Sequence, residues 1–150
     1  MKNLLLVIAL VALFNFNTNG QTSKDIPANV KTTFSKQFPK ATNVKWDKEN
    51  NNEWEAEFKM NGKEYSANFD NNGKWMETEY EIAAKEIPIT VKTTLDIEFK
   101  AYKIEEAAIS ETKSGKLYEF DLKKDGKKTE VAIDVNGKVV KKEQTKMVKK

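Results

Sequence analysis

Two pairs of acidic residues stand one apart in the chain, Glu55 with Glu57 and Glu119 with Asp121. Paired carboxylates are the equipment of general acid–base chemistry, as in glycoside hydrolysis. Each pair alternates with apolar neighbours: Trp54, Ala56 and Phe58 around the first, Tyr118, Phe120 and Leu122 around the second. On a β-strand, residues i and i+2 share a face, so each pair projects together, opposite a buried side. That places the pairs in solvent beside cross-strand lysines such as Lys63 and Lys127, where nothing raises a carboxyl pKa. The expectation is no catalytic residue and no enzymatic activity. A second acidic motif, D-x-N-G, occurs at Asp70–Gly73 and Asp134–Gly137. Its oxygens suit a hard cation, but an EF-hand loop places its Gly sixth, not fourth. The pattern predicts hairpin turns, with Asp bonding local backbone and Gly at positive φ, and no metal site.

What is missing narrows the chemistry further. All 26 basic residues are Lys, set against 23 acids, and the chain has no Arg, His or Cys. Common zinc sites, Ser-His and Cys-His nucleophiles and disulfides are thereby excluded, and no cofactor is expected. Lysines scattered among acids do not make the concentrated basic face that nucleic acid requires.

Aromatic residues are the remaining candidates. Most follow the parity of buried positions, but Trp75 and Met76 are adjacent and must point to opposite faces, while Tyr80 shares the parity of Met76. Exposed Trp, Tyr and Met grip protein partners, so Trp75, Met76 and Tyr80 are the candidate binding residues. The alternative is that the linker Ile82–Ile87 covers them. The lysine-rich end, residues 141–150, reads as a strand that frays into solvent.

The elements that carry these residues are written twice. IPANVKTT at residues 26–33 returns as IPITVKTT at 87–94, 61 positions on. Val30, Phe34 and Phe38, like Val91, Leu95 and Phe99, recur every four residues, the stripe of an amphipathic helix. Pro27 and Pro88 suit the first turn; Pro39 stops the first helix, and the second is expected to run to about Ala101. Each helix, of about three turns, is too short to persist alone. Strands follow: WEAEFKM, the hairpin signal Asn61-Gly62, YSANFD, a D-x-N-G turn, then KWMETEYEI. YEFDLKK, Asp125-Gly126, TEVAID and the second D-x-N-G repeat the series 64 positions later, and Thr42–Trp46 and Ile104–Glu111 supply a strand ahead of each set. The fold class is α+β. Two tandem repeats, about 25–82 and about 86–146, each hold one helix and four antiparallel strands. They form a curved sheet with both helices on one face. One repeat of about 60 residues buries little apolar surface, so the two are expected to share a core and hide an open edge each.

Residues 1–20 have an early Lys2, an apolar run Leu4–Phe16 and a polar end at Thr18-Asn19-Gly20. This is the layout of a secretory signal peptide cut between Gly20 and Gln21. The run falls short of the ~20 residues that span a bilayer, so the mature chain, residues 21–150, is expected to be exported without stable membrane insertion.

The motifs IPANVKTTFSKQFP, EWEAEFKMNGKEYSANFDNNGKW, IPITVKTT and LYEFDLKKDGKKTEVAIDVNGK make the mature chain resemble the PepSY-like, or beta-lactamase-inhibitor-like, secreted bacterial proteins. The resemblance implies a non-enzymatic periplasmic or extracellular module that engages a protein or peptide, through an open sheet face. A periplasmic small-ligand or cell-envelope-binding protein is the alternative.

Overall fold

A computed structural model describes residues 26–144; the expected signal peptide and the last six residues lie outside them. Helix α1 (Ala28–Gln37) precedes four strands, β1 (Thr42–Asn50), β2 (Glu53–Met60), β3 (Lys63–Asp70) and β4 (Trp75–Glu81). A 3-10 turn at Ala84–Glu86 leads into helix α2 (Ile89–Glu98) and strands β5 (Lys103–Thr112), β6 (Gly115–Lys124), β7 (Lys127–Asp134) and β8 (Val139–Gln144). The α+β expectation holds. All eight strands join one antiparallel sheet in chain order, β1 to β8.

Period-two patterning decides which side of the sheet is covered. Registered pairs carry one row across the sheet, Phe58–Tyr65–Tyr80–Ile109–Tyr118–Ile133, and this row faces the helices. Val30, Phe34 and Phe38 of α1 and its C-terminal end are buried against Trp54, Ala56, Phe58, Ala67 and Phe69. Val91, Leu95 and Phe99 pack in the same way against Ile109, Tyr118, Phe120, Leu122, Val131 and Ile133. These are two neighbouring clusters, not the single shared core expected. A ten-residue helix is about 15 Å long and reaches only the strands of its own half. What joins the halves is the β4–β5 ladder, from Glu77↔Thr112 to Glu81↔Ala108. The Tyr65 and Tyr80 rings, 4.9 Å apart, bridge the two clusters.

Several local expectations are refined. Pro27 and Pro88 are the residues just before the helices rather than within the first turn. Helix α2 stops at Glu98, short of Ala101, because the buried Phe99 caps it and Tyr102 N–H closes a turn on the Phe99 carbonyl at 2.8 Å. Lys63 bonds to Glu86 at 2.6 Å rather than to the strand carboxylates; Lys128, one residue beyond the expected Lys127, meets Asp121 at 2.5 Å.

The D-x-N-G turns fasten the helices to the sheet. Asp70 Oδ1 accepts the N–H groups of Asn72 and Lys74, and Asp134 Oδ1 those of Asn136 and Lys138, at 2.8–3.0 Å. Asn29 of α1 donates to the Asn71 carbonyl at 3.2 Å. In α2, Thr90 and Thr94 donate to the carbonyls of Val135 and Gly137 at 3.2 and 2.6 Å. The predicted hairpin turns are thus present and carry a second duty. Among the described residues no helix is long and apolar enough to cross a membrane.

Candidate functional site

The face that neither helix covers is built from the alternate positions of the same strands. Glu55 and Glu57 on β2, Glu77, Glu79 and Glu81 on β4, and Glu119 and Asp121 on β6 all point away from the helices, since their neighbours are the core residues. Between these strands the centre of the same face carries small or amide side chains, Ser66 and Asn68 on β3, Ala108 and Ser110 on β5 and Ala132 on β7, with Glu64, Glu106 and Glu130 farther along those strands. The register ties them into rows, Glu57–Ser66–Glu79–Ser110–Leu117 and Glu55–Asn68–Glu77–Thr112. At the centre of the face, acidic strands therefore alternate with strands of small residues, the acidic ridges about 10 Å apart at the usual strand spacing.

This crowding overturns the expectation that nothing perturbs the paired carboxylates. Burial, with Glu49 and Glu57 beside it, raises Glu55 to about 7. Burial likewise raises Glu119 to about 7, with Glu77 adding to the shift and Lys141 partly offsetting it. Glu79 is the extreme: only 7 % exposed, it is pushed up to about 9 by desolvation and by the charges of Glu77, Glu119 and Glu55. Glu57 and Glu77 are raised too, chiefly by burial. An isolated strand would leave such carboxyls in water; eight adjacent strands make them desolvate and repel one another.

Their hydrogen bonding is uneven. Glu53 accepts from the amides of Asn68 at 3.0 Å and Asn50 at 2.9 Å. Glu77 accepts from the Ser110 hydroxyl. Glu79 Oε1 and Glu119 Oε1 are buried and have no partner in the protein. Such orphaned acceptors are costly unless something else satisfies them.

The expected binding residues are not brought together on this face. Trp75 and Tyr80 lie on the helix side: Trp75 packs against the α1 cluster and donates Nε1–H to Thr78 Oγ1 at 2.8 Å. Tyr80 packs between the clusters, its hydroxyl 3.4 Å from a Glu111 carboxylate oxygen and Lys63 Nζ 5.6 Å from its ring centre. Met76, at the irregularity where the register jumps from Asn68↔Glu77 to Phe69↔Trp75, is 42 % exposed. Glu77 and Glu79 were missed; the signal was a third alternating run, Glu77-Thr78-Glu79-Tyr80-Glu81, in which the aromatic drew attention from the acids. A shallow groove of about 480 Å³ opens elsewhere, at the Asn43–Lys45 bulge, and is lined by Glu57, Lys59 and Tyr65 among others. Among the described residues no group of three or more Asp or Glu is arranged to hold a metal ion.

One continuous antiparallel sheet, helices on one side and a carboxylate-lined face on the other, defines an α+β protein with one sheet face uncovered. The chain belongs to the family described as "Putative beta-lactamase-inhibitor-like, PepSY-like", which it matches twice, over residues 17–63 and 52–141. Solved structures share the fold. A BLIP-like protein from Bacteroides fragilis superposes with a TM-score of 0.72 at 21% identity, covering 79% of this chain and 86% of that one. A DUF2874 family protein from Bacteroides ovatus gives a TM-score of 0.73 at 22% identity over 79% and 86% of the two chains. A Bacteroides eggerthii structure described as "putative periplasmic proteins" gives 0.72 at 18% identity over 79% and 88%. No curated protein matches the chain.

Proposed function

We propose that this is an exported, non-enzymatic module that binds a protein or peptide through the open face of its sheet and acts by occupying it. The supporting observation is the face itself: eight strands wide, uncovered by either helix, and lined by carboxylates with unsatisfied acceptors. Strongly shifted carboxyl pKa values gather at functional sites more than elsewhere. In this reading the chain is two tandem helix-and-four-strand repeats whose sheets join at β4–β5, giving a curved surface larger than either repeat offers. Met76 supplies an exposed apolar contact, and Trp75 and Tyr80 brace β4 from behind through Thr78 and Glu111. Export follows from the leader-like residues 1–20 and accords with the periplasmic description of the B. eggerthii relative.

The test is capture by the mature chain from periplasmic extract, comparing two variants. Asp47→Lys/Glu57→Lys reverses charge on the open face, and Lys92→Glu does so on exposed α2. One protein held in 1:1 ratio, lost with the first variant and kept with the second, is the expected outcome. Retention by the first and loss by the second would move the interface to the helix side. A small-ligand or cell-envelope-binding role is favoured instead by the groove at Asn43–Lys45. A thermal shift with soluble envelope fragments, in the absence of any captured protein, would select it.

A further inference from the structure

The furrow over β5 has walls of unusual composition. Its floor is Ala108 and Ser110; Glu77, Glu79 and Glu81 of β4 form one bank, Glu119 and Asp121 of β6 the other. Two features separate it from an ordinary acidic surface. Glu79 is nine-tenths buried, and one of its oxygens, like one of Glu119's, is enclosed without a hydrogen-bond donor. Several other carboxylates on this face do have donors: Glu53 has two amides, Asp121 has Lys128, and Glu143 at the β8 edge has Lys141 at 3.3 Å. Buried acceptors left empty beside satisfied ones call for a donor from outside the chain.

A cationic donor suits the site, because it fills the empty acceptors and offsets the charge that the crowded carboxyls acquire when they ionise. A divalent ion is not favoured, since among the described residues no three carboxylates are arranged to ligate one. An ammonium or guanidinium needs no such cage; it presents several N–H donors to acceptors on two sides. The floor is closed over, with Ala108 8 % and Ser110 2 % exposed, so the cation meets Glu79 and Glu119 from above as their carboxyls turn outward to receive it. Further acids at strand spacing, Glu55, Glu57 and Asp47 toward β1, suit more than one charge on an extended segment.

Resting on the proposed partner-binding role, we infer that Glu79 and Glu119 form a receiving site for a lysine or arginine side chain of an extended basic peptide segment, which crosses the furrow over Ala108 and Ser110. Cation entry ionises carboxyls that hold protons in the free protein, so binding releases protons to solvent. The groups facing Glu79 are Glu77 and Glu81 on β4, Glu55 and Glu57 on β2, and Glu119 and Asp121 on β6, with Glu106 on β5 and Glu130 and Lys128 on β7 beyond them around Asp121. Lys45 on β1 and Lys141 on β8 stand at the margins. Lys128 is taken up by Asp121 and Lys141 offsets only part of the Glu119 shift, so neither gives the enclosed oxygens of Glu79 and Glu119 a donor.

The experiment titrates the mature protein at pH 7.5 with the peptide Ac-Lys-Ser-Lys-Ser-Lys-NH2, by calorimetry in two buffers of different ionisation enthalpy. Its Gln-for-Lys counterpart and calcium chloride serve as comparison titrants. The expected result is binding of the Lys peptide alone, with proton release, amide shifts centred on Glu79, Ser110 and Glu119, and an affinity at least tenfold weaker in Glu79→Gln. Glu98→Gln, on the exposed end of α2, is expected to match wild type. Equal affinity for wild type and Glu79→Gln, binding equally weakened by Glu98→Gln, or shifts on the helix side would overturn the site. Calcium binding without peptide binding would overturn it in favour of a metal. If the peptide fails while a captured protein still depends on Asp47 and Glu57, the receiving site falls and the open-face function stands; if the peptide binds and nothing is captured, the reverse holds.

Discussion

Glu79 shows how a side chain can act against the fold that holds it. Its folded pKa, about 9, lies above the 4.5 of a free glutamate. Between those values the unfolded chain gives up a proton that the folded one keeps, so stability is full below pH 4.5 and falls as pH rises toward 9. Glu55 and Glu119, each raised to about 7, add losses between pH 4.5 and 7. The protein is therefore expected to melt at a higher temperature at pH 5 than at pH 8, opposite to the acid denaturation of proteins rich in salt-bridged carboxylates. Glu79→Gln keeps the shape without the ionisation. It should raise stability at pH 8 by on the order of 2 kcal/mol, and flatten the pH dependence, as read by thermal melts across that range. A melting temperature that rises from pH 5 to pH 8 in wild type would contradict this. Stability given up at one place, by a group the core does not need, is a common mark of a binding site.

At the scale of the element, each D-x-N-G turn fastens the helix of its own half, through Asn29 in the first and Thr90 and Thr94 in the second. Thr32 and Thr93 bond back to the carbonyls of Ala28 and Ile89 at 2.8 Å within their helices, and each turn closes against the helix of its own half. Gly73 is held at φ +75°, and a Cβ there would lie 2.8 Å from the Asn29 backbone. Gly62, at φ +79° in the β2–β3 hairpin, has open space around it. Both must adopt a left-handed conformation, but only Gly73 is also pressed by a helix. Gly62→Ala should cost about 1 kcal/mol. Gly73→Ala adds a backbone clash and should cost about 2–4 kcal/mol. Urea unfolding of the two variants separates the contributions; equal losses would mean that turn and helix do not touch. The edge strands follow their own logic: β1 carries two register irregularities and exposed lysines, which discourage further strand pairing.

For the whole molecule, the two clusters make the halves partners rather than one body of packed side chains. Tyr80, Ile82 and Ile87 come from the first half and its linker but pack on the second cluster. Residues 21–84 produced alone would expose the β4 ladder and lose the surroundings of Tyr80 and Ile82. That fragment is expected to melt at least 10 °C below the mature chain, or not to fold cooperatively, in a calorimetric scan. A fragment as heat-resistant as the parent would show that the β4–β5 junction contributes nothing. The junction also builds the proposed receiving site, because β5 brings its small residues beside β4, between Glu79 and Glu119.

Read alone, the chain determined the local elements and their order. Strict alternation in WEAEFKM and YEFDLKK, the four-residue stripe from Val30 to Phe38, and Gly at each turn are rules of neighbouring residues, and they are legible in one dimension. Which carboxylates resist ionisation was not legible. The pairs Glu55/Glu57 and Glu119/Asp121 looked solvated because a single strand leaves them so, and Glu79 was unremarked. The single apolar core expected became two, because helix length, not sequence similarity, sets how far a helix can reach. The single sheet was expected; only the tertiary structure showed that it packs the β2, β4 and β6 carboxyls closely enough to desolvate one another. A pKa depends on everything within several ångströms in space, whereas a strand pattern depends on the next residue along the chain.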